Sequence, residues 1–89
     1  MLADAALVAL ERAEVLLVMG RPEEVPHICR ALLDQFTRIG MTSRAITALS
    51  FLREAVAMGA VTPSLVRHVH DFLRDLPKHP TRAFAPPSP

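Results

Sequence analysis

Three glycines, Gly20, Gly40 and Gly59, cut the 89-residue chain at intervals of about twenty, and no other feature constrains the fold as strongly. Glycine stops a helix readily because it enters the left-handed region without a Cβ clash. Pro22 suits a first helical position, where no amide hydrogen is needed, and Glu23 and Glu24 favour the positive start of a helix. Thr42 or Ser43 supplies a cap for the next segment, and Thr62-Pro63 opens the last. The punctuation predicts helices over residues 4–19, 22–39, 43–58 and 63–76. No stretch alternates with period two for long enough to form a strand. The expected class is all-α, with four antiparallel helices in one domain over residues 1–76. Pro26 removes a backbone bond one turn into the second helix, which should kink there or begin later.

The same breakers reveal an internal repeat. Displaced by 39, Leu7, Ala9, Leu10, Met19 and Gly20 fall on Ile46, Ala48, Leu49, Met58 and Gly59. Displaced by 41, Pro22, Val25, His27, Ile28, Leu32 and Asp34 fall on Pro63, Val66, His68, Val69, Leu73 and Asp75. The two extra residues, Ala60 and Val61, sit in a loop, where an insertion costs least. The chain therefore reads as two copies of one helical hairpin.

Val18-Met19-Gly20-Arg21-Pro22-Glu23-Glu24-Val25 resembles the turn between paired helices of the tetratricopeptide family. Leu32 and Phe36 fit that family's second helix, and Pro77 is similar to the proline that closes a unit. The second unit repeats Met58-Gly59 and the apolar rhythm after it. Trp and Tyr are missing, Val25 stands where the family prefers Ala, and each unit is several residues longer than usual. The sequence also looks like the C-terminal end of a longer repeat array in a bacterial regulatory protein. The resemblance implies two stacked hairpins that bind other proteins through a concave groove and catalyse nothing. First helices would line that groove, which makes Phe51 and Met58 candidate groove residues.

Composition narrows the function classes. Apolar residues make up 51% of the chain and the net charge is +1, a balance that excludes a disordered chain. It also argues against nucleic acid, whose binders carry a clustered basic excess. The lone Cys29 excludes an internal disulfide or a thiolate cage and fits a reducing compartment. The longest apolar run, residues 5–10, has six residues against the ~20 of a membrane span. Met1-Leu2-Ala3-Asp4 does not read as a basic leader, so a cytoplasmic location and no membrane partner are expected.

Helical faces locate the candidate contact surface. In the fourth helix Leu65, Val66, Val69, Phe72, Leu73 and Leu76 share one side. Arg67, His68, His70, Asp71, Arg74 and Asp75 share the wet side, where Arg67 and Asp71 are spaced to pair. This is the pattern of a solvent-facing cap. The second helix turns Val25, Ile28, Cys29, Leu32, Phe36 and Ile39 inward and Glu23, His27, Arg30 and Asp34 outward. The third turns Ala45, Leu49, Leu52 and Val56 inward and Arg44, Thr47, Ser50 and Glu54 outward; Phe51, Ala55 and Met58 lie among its polar positions. The favoured alternative for Phe51 and Met58 is core contact with the first helix or with a dimer mate.

The first helix does not divide cleanly. Leu2, Ala6, Leu10, Ala13 and Leu17 form one side, but Leu7, Val8, Val15 and Val18 project among Asp4, Glu11 and Glu14 on the other. A helix apolar nearly all round is covered on both sides, and three other helices can cover one. The expected partner is a protein, either another copy or a larger host, meeting Leu7, Val8, Val15 and Val18 within a rim of Glu11, Arg12 and Glu14.

Chemical motifs are sparse. His68 and His70 stand about 200° apart on a helix, the wrong geometry for one ion. His68 with Asp71 or Asp75, and His27 with Cys29, are the remaining metal-ligand pairings. Cys29 reads as a small core residue without an activating base. Adjacent Glu23 and Glu24 diverge on a helix, and the three glycines do not form a phosphate loop. No metal, cofactor or catalytic residue is assigned. The alternative class is a DNA-binding helix-turn-helix over residues 35–49, with Gly40 at the turn and Ile46 and Leu49 inward. Phe36 crowds a position where that motif wants a small residue, and Thr42, Ser43, Arg44 and Thr47 are weak base readers. Residues 77–89 hold five of the eight prolines and read as a flexible tail or, over residues 86–89, as an extended proline-rich ligand.

Overall fold

The computed structural model describes residues 2–40 and 43–87, the side chains of Leu2, Ala3 and Ile39 excepted. The expected cap at Thr42, the inward positions Leu2 and Ile39, and the end of the proline-rich ligand lie outside the described residues. Four α-helices follow one another: α1 (Leu2–Val18), α2 (Val25–Ile39), α3 (Ser43–Ala57) and α4 (Pro63–Asp75), with a 3-10 turn at Pro22–Glu24 before α2. Among the described residues there is no strand, and no helix is long and apolar enough to cross a membrane.

Two helices end in the same way, 39 residues apart. After α1 the amide of Arg21 donates to the Leu16 carbonyl at 2.8 Å and that of Gly20 to Leu17 at 3.1 Å. After α3, Ala60 donates to Ala55 at 2.8 Å and Gly59 to Val56 at 3.1 Å. Both are Schellman caps, whose αL residue favours glycine; φ is +73° at Gly20 and +69° at Gly59. The starts also obey local chemistry. The Pro22–Glu24 turn absorbs the chain reversal, so α2 begins at Val25 with Pro26 in its first turn, where the missing amide costs nothing. At α4 the Thr62 hydroxyl accepts from the Leu65 amide at 3.1 Å and Pro63 opens the first turn.

The hairpins α1–α2 and α3–α4 stack face to face and close into a ring. The most extensive packing joins α1 to α4 and α2 to α3, while contacts within each hairpin are lighter. Across the diagonals, α1 from α3 and α2 from α4, no Cα atoms come within 8 Å among the described residues. Exchanging the two halves maps each of these pairings onto another, which is the signature of a pseudo-twofold bundle. Burial follows the 39-residue displacement: Ala6 and Ala45, Leu10 and Leu49, Ala13 and Leu52, and Leu16 and Ala55 are buried in pairs. The 41-residue displacement pairs buried Val25 with Val66 and buried Cys29 with His70. Phe36 is one of the largest side chains buried in this core. Ala55 is therefore a core residue and not one of the polar positions of α3, because its Cβ occupies the place that Leu16 takes in α1.

Residues 77–87 are non-helical, as their prolines require, yet they lie against the domain. Phe84 packs on Phe51 and Phe72, with ring centroids 5.3 Å away in both cases, and edge-on to His68 at 5.6 Å. The His68 ring also hydrogen-bonds the Ala85 carbonyl through Nε2 at 2.8 Å. Phe84 thus meets three rings, from α3 and α4, although the residues on either side of it are exposed.

Candidate interaction face on α1

The inner side of α1 is set by Ala6, Leu10, Ala13 and Leu16, all buried against the other helices. Opposite them Val8, Val15 and Val18 remain 64%, 55% and 71% exposed, and Met19 continues the line beyond the helix. Leu7, expected on the same face, is half-buried at its edge. The bundle thus leaves bare three of the four apolar residues that the helical wheel assigns to a second face. The exposed part of that face is narrower than the sequence implies, because α4 rises beside it. An open depression of about 490 Å³ runs along it, lined by Glu11, Glu14, Val15, Val18 and Arg67.

The three rim charges already have partners within the chain. Arg67 Nε donates to Glu14 Oε1 at 2.9 Å, and this bond, with the attraction of Glu14, holds the guanidinium above its ordinary range. Arg12 lies 3.5 Å from Glu24. Glu11 Oε2 is 3.0 Å from His70 Nε2, while His70 Nδ1 is 2.9 Å from Asp71 Oδ1. Glu11 and Glu14 therefore tie α1 to α4, and Arg12 ties it to the turn before α2. Arg12 and Glu11 stay largely accessible, and Glu14 is mostly covered.

Two expectations for α4 change. His70 is buried in the α1–α4 seam and does not share the wet side with His68, since two hydrogen bonds satisfy its ring there. Arg67 pairs across the helices with Glu14 instead of along α4 with Asp71, which approaches Arg74 at 3.4 Å. Of the remaining outer positions Arg74 is exposed, while His68, Asp71 and Asp75 are half-buried; Arg74 Nε donates to Asp75 Oδ1 at 3.0 Å and holds that carboxyl below its usual range.

The other candidates fall in separate places. Phe51 is half-buried beneath Phe84, while Met58 stands 72% exposed beyond the end of α3. Because α1 and α3 lie on a diagonal, these two residues and the valines of α1 do not line a common surface. In the helix-turn-helix segment Phe36 is buried, Arg44 is half-buried, and the Thr47 hydroxyl bonds the Ser43 carbonyl at 2.8 Å. Cys29 is buried, and desolvation pushes its thiol up to about 11. Among the described residues no three His, Cys, Asp or Glu side chains are grouped as metal ligands. Compared with known proteins, the chain matches no family model, no curated protein and no solved structure.

Proposed function

We propose that this chain is a non-enzymatic protein-interaction or oligomerisation module whose contact surface is the outer face of α1. One observation carries the reading. At positions equivalent by the repeat, α3 presents Thr47, Glu54 and Ala57 to solvent where α1 presents Val8, Val15 and Val18. The bundle builds the same helix twice, and the fold needs no apolar outer face. Exposed valines on one copy are then accounted for by a partner, since each large apolar side chain covered gains ~1.5–3 kcal/mol. The tetratricopeptide-like turn at residues 18–25 supports the same class of function, and the lone Cys29 supports action in a reducing compartment such as the cytoplasm.

The test is Val8→Glu with Val15→Glu, read by sedimentation from micromolar to millimolar protein. The wild-type chain is expected to exceed its 9.8 kDa monomer mass or to bind a host protein. The variant should keep its helicity and lose the association. Loss of helicity instead would return those valines to the intramolecular core and end the reading.

A further inference from the structure

We propose that the occupant of this face is a second copy of the same chain, docked with the two α1 helices side by side and parallel. This deepens the interaction reading above and rests on it. Charge is laid out unevenly around the exposed stripe. Val8 and Val15, seven residues apart, form its centre line. On the flank towards α4 stand Glu11, bonded to His70, and seven residues later Val18. On the flank towards α2 stand Arg12, beside Glu24, and seven residues later Met19. Only the Val8–Val15 line repeats with the heptad; the flanks differ in charge at Glu11 and Arg12 and are both apolar at Val18 and Met19.

Parallel helices related by a twofold axis along their length exchange flanks. Val8 then meets Val8 and Val15 meets Val15, while Glu11 of each copy meets Arg12 of the other and Val18 meets Met19. Every contact is self-complementary, as an isologous interface requires. Antiparallel helices keep their flanks, which would set Glu11 beside Glu11 and Arg12 beside Arg12. Like charges so placed oppose association, so the charge pattern selects the parallel arrangement. The side chains of Glu11 and Arg12 are 57% and 67% accessible, which leaves each free to take a second partner without releasing the first. A contact one helix wide falls at or below the low end of ~1,200 Å² for specific interfaces, so the association is weak and concentration-dependent.

Two variants test the pairing. Glu11→Arg alone and Arg12→Glu alone each place like charges across the interface, and each should weaken self-association at least about tenfold. Mixed in equal amounts they restore opposite charges in both pairs, and a heterodimer of wild-type affinity is expected. An unfolded variant cannot be rescued in this way, so recovery in the mixture separates lost charge from lost fold. Val15→Cys tests the orientation under mild oxidation, with buried Cys29 as a silent internal control. It should form a disulfide-linked dimer on its own. Cross-linking only when Val8→Cys and Val15→Cys chains are mixed would overturn the parallel register and leave the interaction reading intact. A wild-type chain that stays monomeric to millimolar concentration would remove the second copy as occupant. Failure of Val8→Glu with Val15→Glu to alter any association would reject the face itself.

Discussion

Two helices of this molecule, α1 and α3, share one inner frame and differ on the outside. Along the 39-residue displacement they bury four positions in common, end in the same cap and leave Met19 and Met58 exposed. Their outer faces diverge: valine at 8, 15 and 18 in α1, against threonine, glutamate and alanine at 47, 54 and 57 in α3. What folding dictates is held in common, and what folding leaves free is where the copies part. A duplicated helix therefore serves as its own control for which residues answer to the core and which to something outside it.

The largest expected effect tests the shared frame. Leu10→Ala and Leu49→Ala each open a cavity at a fully buried site and should each cost about 2–5 kcal/mol in chemical denaturation. Costs that differ by more than twofold would break the equivalence of the halves. Next comes the pair Cys29 and His70, which the repeat places at matching buried positions with different chemistry. The Cys29 thiol is neutral when folded and ionises near 9.0 when unfolded, against about 11 in the core. Its contribution is complete below pH 9 and is lost as pH rises towards 11, at a slope of at most about 1.4 kcal/mol per pH unit. Cys29→Ala should flatten that decline in stability measured across pH 8–11.

Smaller effects refine the comparison. Gly20→Ala and Gly59→Ala meet no atom within 4 Å of the added Cβ, so only the positive φ opposes them. Each should lower stability by ~1 kcal/mol, equally at the two caps. Finally, Thr47→Val with Glu54→Val gives α3 the outer residues of α1. Stability should shift by no more than ~0.5 kcal/mol, while sedimentation should reveal association through a second face. A change confined to stability would show that the outer valines of α1 act on the fold after all.

Much of this was legible from residue type and spacing. The glycine stops, the proline starts and most of each helix's inner face follow from local chemistry, although Leu16, Leu33, Ala48 and Ala55 are buried without having been placed inward by the helical faces. The exposed stripe was legible as well, because α1 carries more apolar circumference than one neighbouring layer can cover. His70 escaped because a helical wheel sorts by polarity, and a histidine counts as wet. The signal that could have found it was the repeat itself, which sets His70 on Cys29, an inward position. The Glu14–Arg67 bond, 53 residues apart in sequence, was invisible to spacing rules that see only one turn of helix. Phe84 was hidden by its company: five prolines describe the backbone of the tail and say nothing of the one ring that docks it.

The ring has a further consequence. An open solenoid can be lengthened indefinitely, since each added hairpin finds the last one's unused side. Here the seam between the first and final helices consumes both ends of the stack, so a third hairpin could join only by prying α1 from α4. A unit closed in this way offers no open end on which a further hairpin could stack.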